Sequence, residues 1–225
     1  MNSSKLYKCI LFDLDGVLLD TEKIYMNLMV NYNIEIGINA DKEYYIKNLL
    51  GRTQKEINEC YCNDFEFVFN PERYWNALLN IREEYIKNNN IDLKPGVFEL
   101  IKYLKDEKYI IGIVTSNSKA MTEELLNKSK LKLSNFDIVV SREHVSRTKP
   151  SPELYLKALN LLNLDKCDVL AIEDSKVGIE SALSADIDVI NVLDVDIIPA
   201  SIMNKCVFCC ENAKEIIEYL KEKRN

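Results

Sequence analysis

From Pro95 onward the sequence alternates short apolar runs with stretches of helical periodicity, and no other feature limits its fold as much. Tyr109–Thr115, Phe136–Val140, Val169–Ile172 and Ile187–Val192 are the runs. A strand with one face in water alternates apolar with polar residues, whereas a strand apolar on both sides is buried on both. Between the runs, Val97, Leu100, Ile101 and Leu104 recur at helical spacing, as do Leu154, Ala158, Leu161 and Leu162 behind a Ser151-Pro152 cap. Cys206–Cys209 reads as a further short strand. Ala213, Ile216, Ile217 and Leu220 read as a closing helix. Tyr7–Phe12 belongs with the buried strands. The pattern predicts an α/β fold: a doubly wound, Rossmann-like parallel sheet with helices on both faces. Such sheets bind ligands at the carboxyl ends of their strands.

One long segment breaks the alternation. Tyr25, Leu28, Met29 and Tyr32 mark a helix. Thr53 and Glu56 have capping-box spacing. Asn70-Pro71 suits an N-cap and first helical position ahead of Trp75, Leu78 and Leu79. No run in this region reads as a strand. The expected organisation is an α/β core of residues 1–17 and 92–225 with a helical cap, residues 18–91, inserted after the first strand. Hinges are expected near Gly16–Asp20 and Asn88–Pro95.

Composition excludes several classes. The chain has 36 acidic and 29 basic residues among 225, and no long basic block, which argues against a nucleic-acid partner. No run approaches the ~20 apolar residues of a membrane helix. Seven cysteines cannot all pair within one chain. With no secretory signal ahead of them, reduced thiols and a cytoplasmic monomer are expected. Cys206, Cys209 and Cys210 read as small apolar residues, because the sole histidine, His144, lies far upstream and leaves a metal ligand set incomplete.

Four strand ends carry candidate chemistry. Asp13 and Asp15 stand two apart beyond the first strand and ahead of Gly16, so one carboxylate can attack while the other moves protons. Two further D-x-D pairs, Asp186/Asp188 and Asp194/Asp196, read as solvated loop or strand-edge residues. Thr115, Ser116 and Asn117 follow the next core strand, where a hydroxyl and backbone N–H groups can meet a phosphate oxygen or simply cap a helix. Lys149, before Pro150, offers a compact charge on a restrained backbone. Glu173 and Asp174 end a strand and offer oxygen ligands to a hard cation.

Asp13-Leu14-Asp15-Gly16-Val17, Ser116, Lys149-Pro150-Ser151-Pro152-Glu153 and Glu173-Asp174-Ser175, in that order and spacing, resemble the motifs of the haloacid dehalogenase superfamily. The likeness is to its phosphatase and phosphomutase branch, which has a helical cap after the first motif. The resemblance implies that Asp13 attacks phosphorus to form an aspartyl-phosphate, and that Asp15 protonates the leaving oxygen and then activates water. It implies Mg²⁺ held by Asp13, the Asp15 backbone carbonyl and Asp174, with Glu173 either a further ligand or a support behind the ligands. Phosphate would be held by Ser116, the Asn117 N–H and Lys149. The implied substrate is a small phosphorylated metabolite, a sugar or polyol phosphate. A sugar phosphomutase is the alternative, and a non-catalytic binding module a distant third. Leu50-Gly51-Arg52-Thr53-Gln54 resembles the substrate-facing stretch of the cap, with Arg52 a candidate contact. The mutases of this branch carry an arginine where Gln54 stands and a histidine where Tyr25 stands.

Overall fold

The computed structural model describes residues 6–49, 52–65 and 69–224. Strands β1 (Cys9–Phe12), β2 (Ile110–Val114), β3 (Ile138–Val140), β4 (Val169–Glu173), β5 (Asp188–Val192) and β6 (Phe208–Cys210) form one sheet in the order β3-β2-β1-β4-β5-β6. Every pairing is parallel. Side-chain alternation divides the sheet between two cores. Ile10, Phe12, Ile111, Ile113 and Ile172 face one of them, and Cys9, Leu11, Val169 and Ala171 the other. Helices α5 (Val97–Asp106), α6 (Lys119–Asn127) and α10 (Ala213–Arg224) cover the first face. Helices α7 (Glu153–Leu162), α8 (Lys176–Ser184) and α9 (Ala200–Met203) cover the second. This is the α/β, Rossmann-like sheet that the apolar runs predict.

Between β1 and β2 the described chain is helical: α1 (Glu22–Glu35), α2 (Lys42–Tyr44) running into a π-helical turn at Tyr45–Leu49, α3 (Gln54–Asp64) and α4 (Pro71–Asn88). The Thr53/Glu56 capping box and the Asn70 cap before Pro71 both form. These helices bury a core of their own, with Met29, Ile38, Leu49, Tyr61 and Tyr74 at its centre. Buried Asn33 organises it: its amide donates to Ala40 O at 3.1 Å and to Tyr61 Oη at 2.9 Å, and its Oδ1 accepts from Tyr74 Oη at 2.6 Å. The chain crosses between the two parts twice, and the crossings hold each other. Asp20 N donates to Asp92 O at 2.9 Å, and Lys94 N to Leu18 O at 3.1 Å.

Several expectations shift in detail. The last strand is Phe208–Cys210, beginning two residues later and ending one later than the expected Cys206–Cys209. Leu161 and Leu79 have the right spacing for a buried stripe yet are 51% and 48% exposed. Tyr155 and Tyr74 are buried instead, because each has a hydrogen-bond partner inside. Asp194 is also misjudged as solvated: its side chain is 2% exposed and paired with Lys94.

Tyr74→Phe should lower stability by about 1–3 kcal/mol, since Asn33 Oδ1 would be left without its donor. Urea unfolding of the two proteins measures this, and a smaller loss would mean that water replaces the phenol.

Candidate active site

Asp13 extends β1 by one residue, with its N–H on Ile172 O at 3.0 Å. Its carboxylate meets Lys149, whose Nζ lies 2.7 Å from Asp13 Oδ1 and 2.6 Å from Glu173 Oε1. The Lys149 side chain is 4% exposed and that of Glu173 0%, so this is a buried ion triad. Tyr155 adds its phenol to Glu173 Oε1. Glycine at 178 lets Glu173 lie over the start of α8, since a Cβ there would stand 1.9 Å from Glu173 Oε2. That oxygen is buried and accepts no hydrogen bond among the described residues.

Asp13, Glu173 and Asp174 each offer an oxygen, all within 4.8 Å of one another. Burial pushes the Asp13 carboxyl up against the opposing pull of Lys149, with Asp15 adding to the rise. It pushes Glu173 up to about 7. Asp174 is raised well above the usual carboxylate range by burial and by Asp13, Glu22, Glu173 and Asp194, and it forms no ion pair among the described residues. Burial would lower Lys149, but the two carboxylates outweigh it and hold the ammonium charged. An oxygen-only donor set carrying excess negative charge fits a hard divalent cation such as Mg²⁺.

Asp15 is held apart from this cluster. Gly16, at φ +73°, turns the chain so that Thr21 Oγ1 donates to Asp15 Oδ1 at 2.6 Å. Thr21 stands at the N-cap of α1 but makes no cap bond there. From the β2 end, the Asn117 amide donates to Asp15 Oδ2 at 2.5 Å. The Asn117 N–H is itself engaged, donating to Thr115 Oγ1 at 3.1 Å. Thr115 is buried and Ser116 exposed to the cavity, while the cap of α6 is Ser118. Of the two, Ser116 is the one exposed at the cavity.

Asp13, Asp15, Ser116, Asn117, Lys149 and Asp174 line one cavity of about 320 Å³, with Glu173 behind them. The helical insert supplies the opposite wall. Arg52 reaches it, exposed, with a hydrogen bond to Cys60 Sγ. Leu50 and Gly51 lie outside the described residues. Three wall residues escaped the sequence reading. Arg82 of α4 lies 3.8 Å over the Tyr25 ring, donates to Asn117 Oδ1 at 3.1 Å and sits 3.8 Å from Asp15 Oδ1. Nothing in the Arg82-Glu83-Glu84 run sets it apart from a solvated helix face. Tyr25 was noted only for its position. Glu22 faces the cavity from the first turn of α1, seven residues beyond Asp15. Burial, with Asp15, Asp13 and Asp194, raises its carboxyl to about 8.

Fold and site together define an α/β protein with a carboxylate–lysine centre at the strand ends of a parallel sheet. The family model of the haloacid dehalogenase-like hydrolases matches residues 10–192, and the chain belongs to that family. It is 30% identical over 193 residues to a bifunctional riboflavin kinase/FMN phosphatase of Arabidopsis thaliana, covering 84% of this chain but 49% of that protein, so it spans about half of that relative's length. It is 28% identical to a phosphorylated carbohydrates phosphatase of Thermotoga maritima, over 80% of this chain and 82% of that one. It is 27% identical to the beta-phosphoglucomutase of Bacillus subtilis, over 82% and 83%. The chain thus falls in the phosphatase and phosphomutase branch. No helix among the described residues is long and apolar enough to cross a membrane.

The Glu22 environment predicts a pH effect in the metal-free protein. Between 4.5 and about 8 the folded chain keeps a proton on Glu22 that the unfolded chain has released, so this group's contribution to stability falls as pH rises. Glu22→Gln should flatten that slope in urea unfolding across the window. Identical slopes in the two proteins would mean that Glu22 ionises normally.

Proposed function

We propose that this chain is a Mg²⁺-dependent phosphatase that hydrolyses a small phosphomonoester through an aspartyl-phosphate on Asp13. The observation that carries the reading is the division of labour between two carboxylates in one cavity. Asp13 is paired with a buried lysine beside two further acids, and Asp15 is held away from them by Thr21 and Asn117. The first arrangement suits a nucleophile facing an anionic centre, and the second suits a proton carrier.

Lys149 and Ser116 bind the phosphoryl oxygens, Lys149 keeping its charge through Asp13 and Glu173. Asp13 attacks phosphorus. Asp15, oriented on both oxygens, delivers a proton to the leaving alcohol and then takes one from the attacking water. Asp13, Asp174, the Asp15 backbone carbonyl and, at one remove, Glu173 would hold the cation, which when bound offsets the repulsion between phosphate and the Asp13 carboxylate. Residues 18–91 act as a cap: Arg82 and Tyr25 close over Asp15, and Arg52 is free to meet the substrate. The Thermotoga relative supports a sugar or polyol phosphate as substrate. The Bacillus relative keeps a mutase as the second reading.

Asp13→Asn should cut turnover about a thousandfold or more with circular dichroism unchanged; near-normal turnover would remove Asp13 from the mechanism. Chelator should silence the wild-type protein and Mg²⁺ restore it, as read by phosphate release. On a panel of sugar phosphates, release without a bisphosphate activator is expected. Isomerised product without release would favour the mutase.

A further inference from the structure

Asp194 stands in the loop after β5, outside the carboxylate–lysine centre. Its Oδ1 lies 2.6 Å from Lys94 Nζ, with side chains 2% and 9% exposed. Its Oδ2 is buried and accepts no hydrogen bond among the described residues. The direction of that oxygen is set by Gly16. A Cβ at Gly16 would stand 3.1 Å from Asp194 Oδ2 and 1.9 Å from Asp174 Oδ2. The idle oxygen of Asp194 and the carboxylate of Asp174 therefore converge on the bare face of one glycine. Two carboxylates converging away from bulk water repel each other unless positive charge or a hydrogen-bond donor lies between them. Lys94 reaches only the far oxygen of Asp194. It comes from the return crossing between the two parts of the chain, and its Nζ is also 3.6 Å from Asp20 Oδ1 on the outgoing crossing.

We propose that Asp194 is an outer carboxylate of the divalent-cation site, with Lys94 as the counter-charge on its far oxygen. Its Oδ2 accepts from the hydration shell that a Mg²⁺ ion keeps when bound by one or two carboxylates. Lys94 then only offsets part of the charge of Asp194 from the far side, and the direction of Oδ2 does not depend on it. The inference rests on the cation reading of Asp13 and Asp174. A purely structural ion pair, the competing account, makes a different prediction for each partner.

The test is Mn²⁺ affinity of the full chain without substrate, read from the electron paramagnetic resonance of free Mn²⁺, with Mg²⁺ as competitor. Asp194→Asn preserves shape and the Lys94 hydrogen bond but removes the charge, and should weaken binding about tenfold or more. Lys94→Met leaves the anion and removes its counter-charge, so binding should be no weaker than wild type. Should Lys94→Met fail to fold, the double variant Lys94→Met/Asp194→Leu removes both charges and should match Asp194→Asn. Wild-type affinity in Asp194→Asn, or equal weakening in Asp194→Asn and Lys94→Met, overturns the proposal. Absence of Mn²⁺ binding to the wild-type chain would instead overturn the cation reading beneath it.

Discussion

The structure depends on a lysine buried between two carboxylates. Lys149 is drawn from a loop, Asp13 from the end of β1 and Glu173 from the end of β4, and contacts of 2.7 and 2.6 Å fasten the three together. An unpaired ammonium at that depth would be neutral or excluded, and an unpaired Glu173 would hold a proton. Lys149 keeps its charge because of the two carboxylates, and its ammonium opposes the rise that burial imposes on both. Tyr155 from α7 and Gly178 from α8 serve the same pairing, one by donating to Glu173 and the other by leaving room for it. Replacing such a triad with apolar side chains need not destabilise a fold, so its presence here is better explained by what it does than by stability.

The Asp15 carboxylate depends on the triad only indirectly. Its supports come from three separate segments: Thr21 at the start of the helical insert, Asn117 at the end of β2, and Arg82 far along α4. Two of the three belong to the insert. The orientation of Asp15 is therefore a property of both parts of the chain at once. The paired crossings at Leu18–Asp20 and Asp92–Lys94 are what bring those parts into register.

Residues whose environment is local were legible in the sequence. Buried strands announce themselves as apolar runs, and caps such as Thr53 and Asn70 are short-range patterns that formed as written. The motif residues Asp13, Asp15, Ser116, Lys149 and Asp174 could be placed because a parallel sheet brings strand ends together whatever the loops do. Arg82, Glu22 and Asp194 could not, since nothing near them in sequence distinguishes a charge facing a cavity from one facing water. Asp194 and Asp186 share one motif, yet the first is buried against Lys94 and the second sits on the surface with Lys166. Likewise on α7 Leu161 is left exposed while Tyr155 is buried, its phenol donating to Glu173.

Sorting the acids by partner shows what the cavity still lacks. Lys149 answers Asp13 and Glu173, Lys94 answers Asp194, and Arg82 stands beside Asp15. Among the described residues Asp174 and Glu22 form no ion pair, and both carboxyls are pushed well up. Both open on the same cavity. Of the cations lining it, Lys149 and Arg82 have carboxylates beside them, and Arg52 lies exposed on the wall that the insert supplies. On the cation reading proposed above, added positive charge would be most strongly favoured at Asp174, flanked by Asp13 and close to Asp194 across Gly16.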